Sequence, residues 1–211
     1  MITGPLRILK RIFSGLFDLH YNLNKDRKDI TEMDEIIKRL DRKLIHAGAI
    51  TKYYKDTVQL PDGRIEEYDF IGHQGAAAAV GVLDDGRLLM VKQYRNALDR
   101  FTIEIPAGGL QSPDEPTIIA AARELEEETG YHCDKLEPLI TVRTTVAFCN
   151  EKIDIYLARN LTKGKQHLDD DEFLNVGIYE LEELERLIYA GTIQDGKTIA
   201  AIMAYKNLLN K

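Results

Sequence analysis

The chain has 211 residues, 44% hydrophobic and 30% charged, and its 28 basic against 35 acidic residues leave a net charge of −7. That length suits one domain with an appendage, or two small domains, and is ample for an independent core. The acidic balance excludes a general nucleic-acid binder, which needs a basic surface, and the lack of any run of about 18 apolar residues excludes a helical membrane span.

Residues 1–20 mix Leu6, Ile8, Leu9, Ile12, Phe13, Leu16 and Phe17 with Arg7, Lys10 and Arg11. The basic residues interrupt any signal-peptide core, which leaves an amphipathic helix docked on protein or a helix lying on a membrane surface. A second helix is expected after Thr31, with Ile36, Ile37, Leu40 and Leu44 as its stripe. From residue 50 the period changes. Segments 50–58 and 66–72 flank Leu60-Pro61-Asp62-Gly63-Arg64, and segments 76–83 and 87–94 flank Asp84-Asp85-Gly86, so two hairpins are expected. A short strand over 101–105 ends at Pro106. A helix over 116–129 starts with Pro116 and stops at Gly130. Strands over 136–144 and 152–158 follow, then helices over 181–190 and 198–209. Mixed strands with helices packed on them make an α+β layered domain. Cys133 and Cys149 form neither a disulfide framework nor a Cys-rich metal site, and the histidines are too scattered for zinc, so a reduced cytoplasmic protein is expected.

The chemistry concentrates in the helix over 116–129. At about 100° per residue, Glu124, Glu127 and Glu128 share one face of it. Like charges at that spacing repel, and they stand at the helix end where the dipole also disfavours anions. Local rules broken twice in one place mark a functional site, and a hard divalent cation such as Mg²⁺ resolves both conflicts. A solvated acidic face, with Arg123 bridging to Glu127, is the bland alternative.

The surrounding spacing decides between them. Gly109, five residues, Glu115, seven residues, Arg123-Glu124-Leu125, one residue, Glu127-Glu128, one residue, Gly130 and Tyr131 resemble the 23-residue box of the Nudix hydrolase family, over 109–131. Tyr131 stands where the family has an aliphatic residue. Gln93-Tyr94-Arg95, Glu104-Ile105-Pro106-Ala107-Gly108 and Lys197-Thr198-Ile199-Ala200 resemble the ADP-ribose pyrophosphatase branch. If Gly108 rather than Gly109 opens the box, the loop before Glu115 holds one inserted residue. The resemblance implies a Nudix fold, a mixed β-sheet sandwiched between helices (α/β/α), over 76–211. It would carry an N-terminal antiparallel β-subdomain over 46–75 and a helical extension over 1–45.

It also implies hydrolysis of a nucleoside diphosphate-sugar at its pyrophosphate bond, with ADP-ribose giving AMP and ribose 5-phosphate, and with Mg²⁺ (or Mn²⁺ in its place) as cofactor. Glu124 and Glu128 are implied metal ligands, completed by the Ala107 carbonyl, or by that of Gly108 in the alternative register. Glu127 is implied as a further ligand or as a carboxylate holding water in the metal's shell. In the acidic stretch 168–172, Glu172 is the candidate general base and Asp170 its reserve. Arg95 is the candidate pyrophosphate contact, Glu104 a ribose-hydroxyl acceptor, and Glu151 a further substrate contact. With no Trp in the chain, Tyr53, Tyr54 and Tyr68 are the candidates for base stacking. Val146 stands where ADP-ribose hydrolases commonly carry proline, which keeps GDP-mannose or another sugar nucleotide as the alternative substrate. A non-catalytic nucleotide-sugar sensor is the alternative from another class, and it would be expected to have lost the box carboxylates. A homodimer built through residues 50–72 is implied as well.

Overall fold

The computed structural model describes residues 36–168 and 173–210. Twelve strands are described: β1 Lys38–Ala47, β2 Lys52–Gln59, β3 Ile65–Gly72, β4 Ala76–Val82, β5 Leu88–Arg95, β6 Arg100–Glu104, β7 Ala107–Gly109, β8 Tyr131–His132, β9 Leu136–Arg143, β10 Lys152–Ala158, β11 Thr162–Lys163 and β12 Leu174–Tyr179. The helices are α1 Thr117–Thr129, α2 Leu181–Tyr189 and α3 Gly196–Leu209. The chain divides into two compact units, Met1–Lys43 with Asp56–Tyr68, and Leu44–Lys55 with Asp69–Lys211.

The first helical reading falls outside the described residues, since it lies in 1–20. The second is corrected: residues 38–47 are a strand in the three-stranded sheet β1-β2-β3. Leu40 and Leu44, spaced as a helical stripe, are both about half exposed. What organises this segment is Arg42, which forks onto Asp56 with two 2.6 Å hydrogen bonds from Nε and Nη2. A pairing 14 residues away outweighs the weak local period. The hairpin turns are as expected, with Gly63 and Gly86 both at φ +88°.

The larger sheet has seven strands in the order β12-β5-β4-β10-β9, with β6 on β5 and β7 on β4. It is mixed, because β10 runs parallel to β4 while β12, β9, β6 and β7 pair antiparallel with their neighbours. The central strand β4 is buried along its whole length. Its alternation serves two cores. Ala77 and Ala79 pack with Ala120, Ala121 and Leu125 of α1 on one face, while Ala78, Val80 and Val82 share the opposite core with Leu184 of α2 and Ile202 and Tyr205 of α3. A strand covered on both faces reads as a continuous apolar run, and its alanines let helices approach closely. The α/β/α sandwich follows. Strand β12 was not anticipated, although Leu174, Val176 and Ile178 alternate. Among the described residues, no helix is long and apolar enough to cross a membrane.

Candidate active site

Helix α1 delivers the acidic cluster. Pro116, extended at φ −62° and ψ 126°, stands one residue before the helix proper, and Gly130 ends it at φ +72° with its N–H on the Glu126 carbonyl at 2.8 Å. A side chain at Gly130 would also stand 2.8 Å from the Gln166 backbone nitrogen, so only glycine fits. Because Ala120, Ala121 and Leu125 face the sheet, Glu124 and Glu128 are carried to the edge of that buried stripe and are themselves 7% and 2% exposed.

Arg123 gathers the carboxylates. Its Nη1 donates to Glu124 Oε1 at 2.6 Å and Glu127 Oε2 at 2.9 Å, its Nη2 to the Gly109 carbonyl at 3.2 Å, and its Nε approaches Glu115 Oε1 at 3.4 Å. Burial opposes the charge on this guanidinium, yet the hydrogen bonds and charge of Glu124, then Glu127 and Glu115, raise its pKa further. Glu115 accepts from the Gln111 backbone N–H at 2.6 Å and so closes the loop before α1 rather than standing in its first turn. Glu128 Oε2 accepts from the Ala107 N–H at 3.0 Å, which ties the helix to β7. Of the two neighbouring glycines, Gly108 has no room for a side chain: a Cβ there would lie 2.2 Å from the Glu124 carboxylate, whereas Gly109 faces open space.

Three carboxylates, Glu115, Glu124 and Glu127, share one guanidinium, and Glu128 adds a fourth on the same helix. That oxygen-only donor set with excess negative charge suits a hard cation such as Mg²⁺. Among the described residues, no group of three or more His, Cys, Asp or Glu side chains stands ready-made to enclose a metal. Instead, Glu124 and Glu127 are drawn onto Arg123.

Arg95 and Glu104 come together, but on each other. Arg95 forks onto Glu104 with bonds of 2.8 and 2.7 Å from Nε and Nη2. Glu104 also accepts from Thr102 Oγ1 at 2.6 Å and from the ammonium of Lys197. Each oxygen has two donors, which fills a carboxylate's capacity, so a ribose hydroxyl would have to displace one of them. Burial raises the Glu104 pKa, but Arg95, Lys197 and Thr102 together bring it down to about 2. Arg95 itself feels the charges of Glu104, Glu128 and Asp195, so this cluster and the acidic helix share one electrostatic neighbourhood.

Lys197, Asp195 and Thr198 were not singled out as site residues, although Lys197-Thr198 belongs to a matching motif and an Asp before an apolar run signals a helix cap. Asp195 caps α3 by accepting from the Thr198 N–H at 3.0 Å and also pairs with Lys197 at 3.0 Å. Glu151 accepts from Thr144 Oγ1 at 2.6 Å and lies 3.5 Å from His73 Nε2. Of the stacking candidates, Tyr53 donates to Asp69 and Tyr54 packs on Phe70, while Tyr68 is exposed. Glu172 and Asp170 lie outside the described residues. The chain that leads toward them caps the end of α1, with the His167 N–H on the Glu127 carbonyl at 3.0 Å and Gln166 Nε2 on that of Glu128 at 2.6 Å. Just beyond them, Leu174 pairs with Gln93.

Residues 72–202 match the NUDIX domain family. The chain is 36% identical to a methanol dehydrogenase activator of Bacillus methanolicus and 38% identical to an ADP-ribose pyrophosphatase of Bacillus subtilis. Each alignment covers 167 residues, 78% of this chain and 90% of the relative. The crystal structure of an ADP compounds hydrolase superposes with a TM-score of 0.72 at 19% identity, covering 83% of this chain and 94% of that one, and shares its fold.

Proposed function

The chain belongs to the Nudix family, and from that premise we propose that it is a Mg²⁺-dependent pyrophosphohydrolase that cleaves ADP-ribose to AMP and ribose 5-phosphate. The observation that carries this reading is the surplus of carboxylate around Arg123 at the end of α1. An ADP-ribose pyrophosphatase 38% identical over most of the chain supports the substrate.

Glu124, Glu127 and Glu128, with the Ala107 carbonyl, are the groups that would hold the cation. When bound, Mg²⁺ lowers the pKa of water and neutralises charge on the leaving phosphate. The residues of the chain do the rest. Gly108 lets Glu124 lie against β7, the Ala107 N–H fixes one oxygen of Glu128, and Arg123 orients Glu124 and Glu127. Arg95 offers its remaining N–H donors to the diphosphate, bidentately where the geometry allows. Glu172 accepts the proton of the attacking water as the new P–O bond forms and the anhydride P–O bond breaks. Its assignment is supported by the flanking chain, which reaches the end of α1 on one side and Gln93 on the other. Glu151 is a further substrate contact.

Phosphate release, coupled to phosphatase, from a panel including ADP-ribose and GDP-mannose tests the substrate. Preference for ADP-ribose is expected, and preference for GDP-mannose overturns the assignment. Binding of ADP-ribose with no turnover in Mg²⁺ or Mn²⁺ makes the protein a sensor instead. The Glu172→Gln variant is expected to lose turnover while retaining ADP-ribose binding, and full activity removes that residue as the base. The enzyme works in the cytoplasm, a placement that two free cysteines support, and as a homodimer through residues 50–72, which expose Ile50, Ile65 and Tyr68. A monomer by light scattering at micromolar concentration would refute the pairing.

A further inference from the structure

Lys197 occupies a position that two physical rules disfavour. It lies in the first turn of α3, where the helix dipole repels a cation, and its side chain is only 9% exposed. Asp195 and Glu104 offset both costs, since the ammonium bonds to one oxygen of each. Glu104, itself 3% exposed, passes this anchoring outward, because its two oxygens grip the Nε and Nη2 of Arg95. Arg95 is the outer member of the chain, with its side chain 39% exposed. Two of its five N–H donors are spent on Glu104, which leaves three for a ligand.

We propose that Lys197 is a positioning residue for diphosphate binding, acting through Glu104 to fix the aim of the Arg95 guanidinium. This rests on the reading of Arg95 as the diphosphate contact. The physical reason lies in how Glu104 is shared. Without the ammonium, one lone pair of Glu104 Oε2 would be buried and unpaired, and the carboxylate would turn to recover a donor, carrying the Arg95 fork with it. The second cation also leaves Arg95 less neutralised by Glu104 than in an isolated pair, so it presents more positive field to an incoming dianion.

A merely structural role is the competing explanation, because α3 is also docked here by the Ile105 N–H, which donates to Thr198 Oγ1 at 3.0 Å. Thr198→Val removes that dock without touching the charge chain, and serves as the control. With ADP-ribose as probe, Lys197→Met is expected to raise KM about tenfold with kcat changed less than about threefold, and to weaken binding in EDTA by titration calorimetry to the same degree. Lys197→Arg, which keeps the charge, is expected to restore most of the affinity. Thr198→Val is expected to lower Tm and leave KM alone. In an Arg95→Met background the Lys197→Met effect is expected to vanish, since both act on one contact. Independent, multiplicative effects of the two substitutions overturn the proposal, as does an equal KM change in Thr198→Val, or a KM for Lys197→Met at the wild-type value. Arg95→Met binding ADP-ribose like wild type refutes instead the Arg95 contact on which the proposal stands. Should Lys197→Met not fold, the Lys197→Arg and Lys197→Gln pair read the same KM dependence on charge.

Discussion

Two helix ends in this molecule carry charges of the sign the helix dipole disfavours, and they resolve the conflict differently. At the C-terminal half of α1, Glu124 and Glu127, joined by Glu115, share the single guanidinium of Arg123, while Glu128 adds a further charge and is held by the Ala107 N–H. At the N-terminus of α3, Lys197 is answered by Asp195 and Glu104, and Arg95 completes a set of two cations and two anions. The first cluster is left with surplus negative charge and calls for an external cation. The second is balanced, and its central carboxylate has every lone pair in use. Surplus charge marks where a ligand binds, whereas balanced and saturated charge marks a rigid mount.

The sharpest way to break the comparison is to remove a carboxylate from the surplus side. Glu128→Gln keeps an acceptor for the Ala107 N–H but deletes a charge. Turnover of ADP-ribose is expected to fall by roughly 10²–10³-fold, the size of losing one charge-stabilising group from an active site. Thermal stability should hold or rise, because a like-charge repulsion is relieved. A Tm loss of many degrees with little change in kcat would show that this carboxylate is part of the scaffold.

The balanced side should show the opposite. Glu104 is held at about 2 in the folded protein against an ordinary value of 4.5, so the folded state binds fewer protons than the unfolded chain through that window. Its contribution, about 3 kcal/mol, is fully present above about pH 5 and is lost as the pH falls towards 2. Urea unfolding of wild type at pH 7 and pH 3 is expected to show rather more than half of that loss, and Glu104→Gln to flatten it. An identical acid dependence in both proteins would remove Glu104 from the role of hub.

A smaller effect tests the fit between helix and strand. Gly108→Ala puts a methyl group 2.2 Å from the Glu124 carboxylate, while Gly109→Ala meets nothing within 4 Å. The first is expected to cost roughly 10–100-fold in activity, the scale of disturbing a group that orients a metal ligand, and the second little. Equal effects of the two would mean that Glu124 is not seated against β7.

Legibility in the sequence followed distance along the chain. The acidic face of α1 could be read because residues three and four apart on a helix are always neighbours, and Gly130 because the helix end requires a positive φ. Gly108 and Gly109 look alike in the sequence, and only the packing of Glu124 shows that a side chain fits at the second and not at the first. Strand β1 was misread as a helix because Leu40 and Leu44 imitate a helical stripe, while the pairing partner of Arg42 lies in β2. Arg95 and Glu104 are each legible as a charged residue near the matching motifs, but their mutual fork is not, since a strand register has to be known before facing side chains are.

The sequence by itself determined the family, the layered α+β class and the helix that gathers the carboxylates, because these depend on spacings of a few residues and on patterns that repeat along a strand or helix. Only the tertiary structure decided that Glu104 belongs to Lys197, 93 residues away, and that its capacity is already filled. Nothing local encodes such a pairing. It arises when burying the two faces of one sheet brings the first turn of α3 beside the end of β6, where a buried cation and a buried anion each stabilise the other's charge.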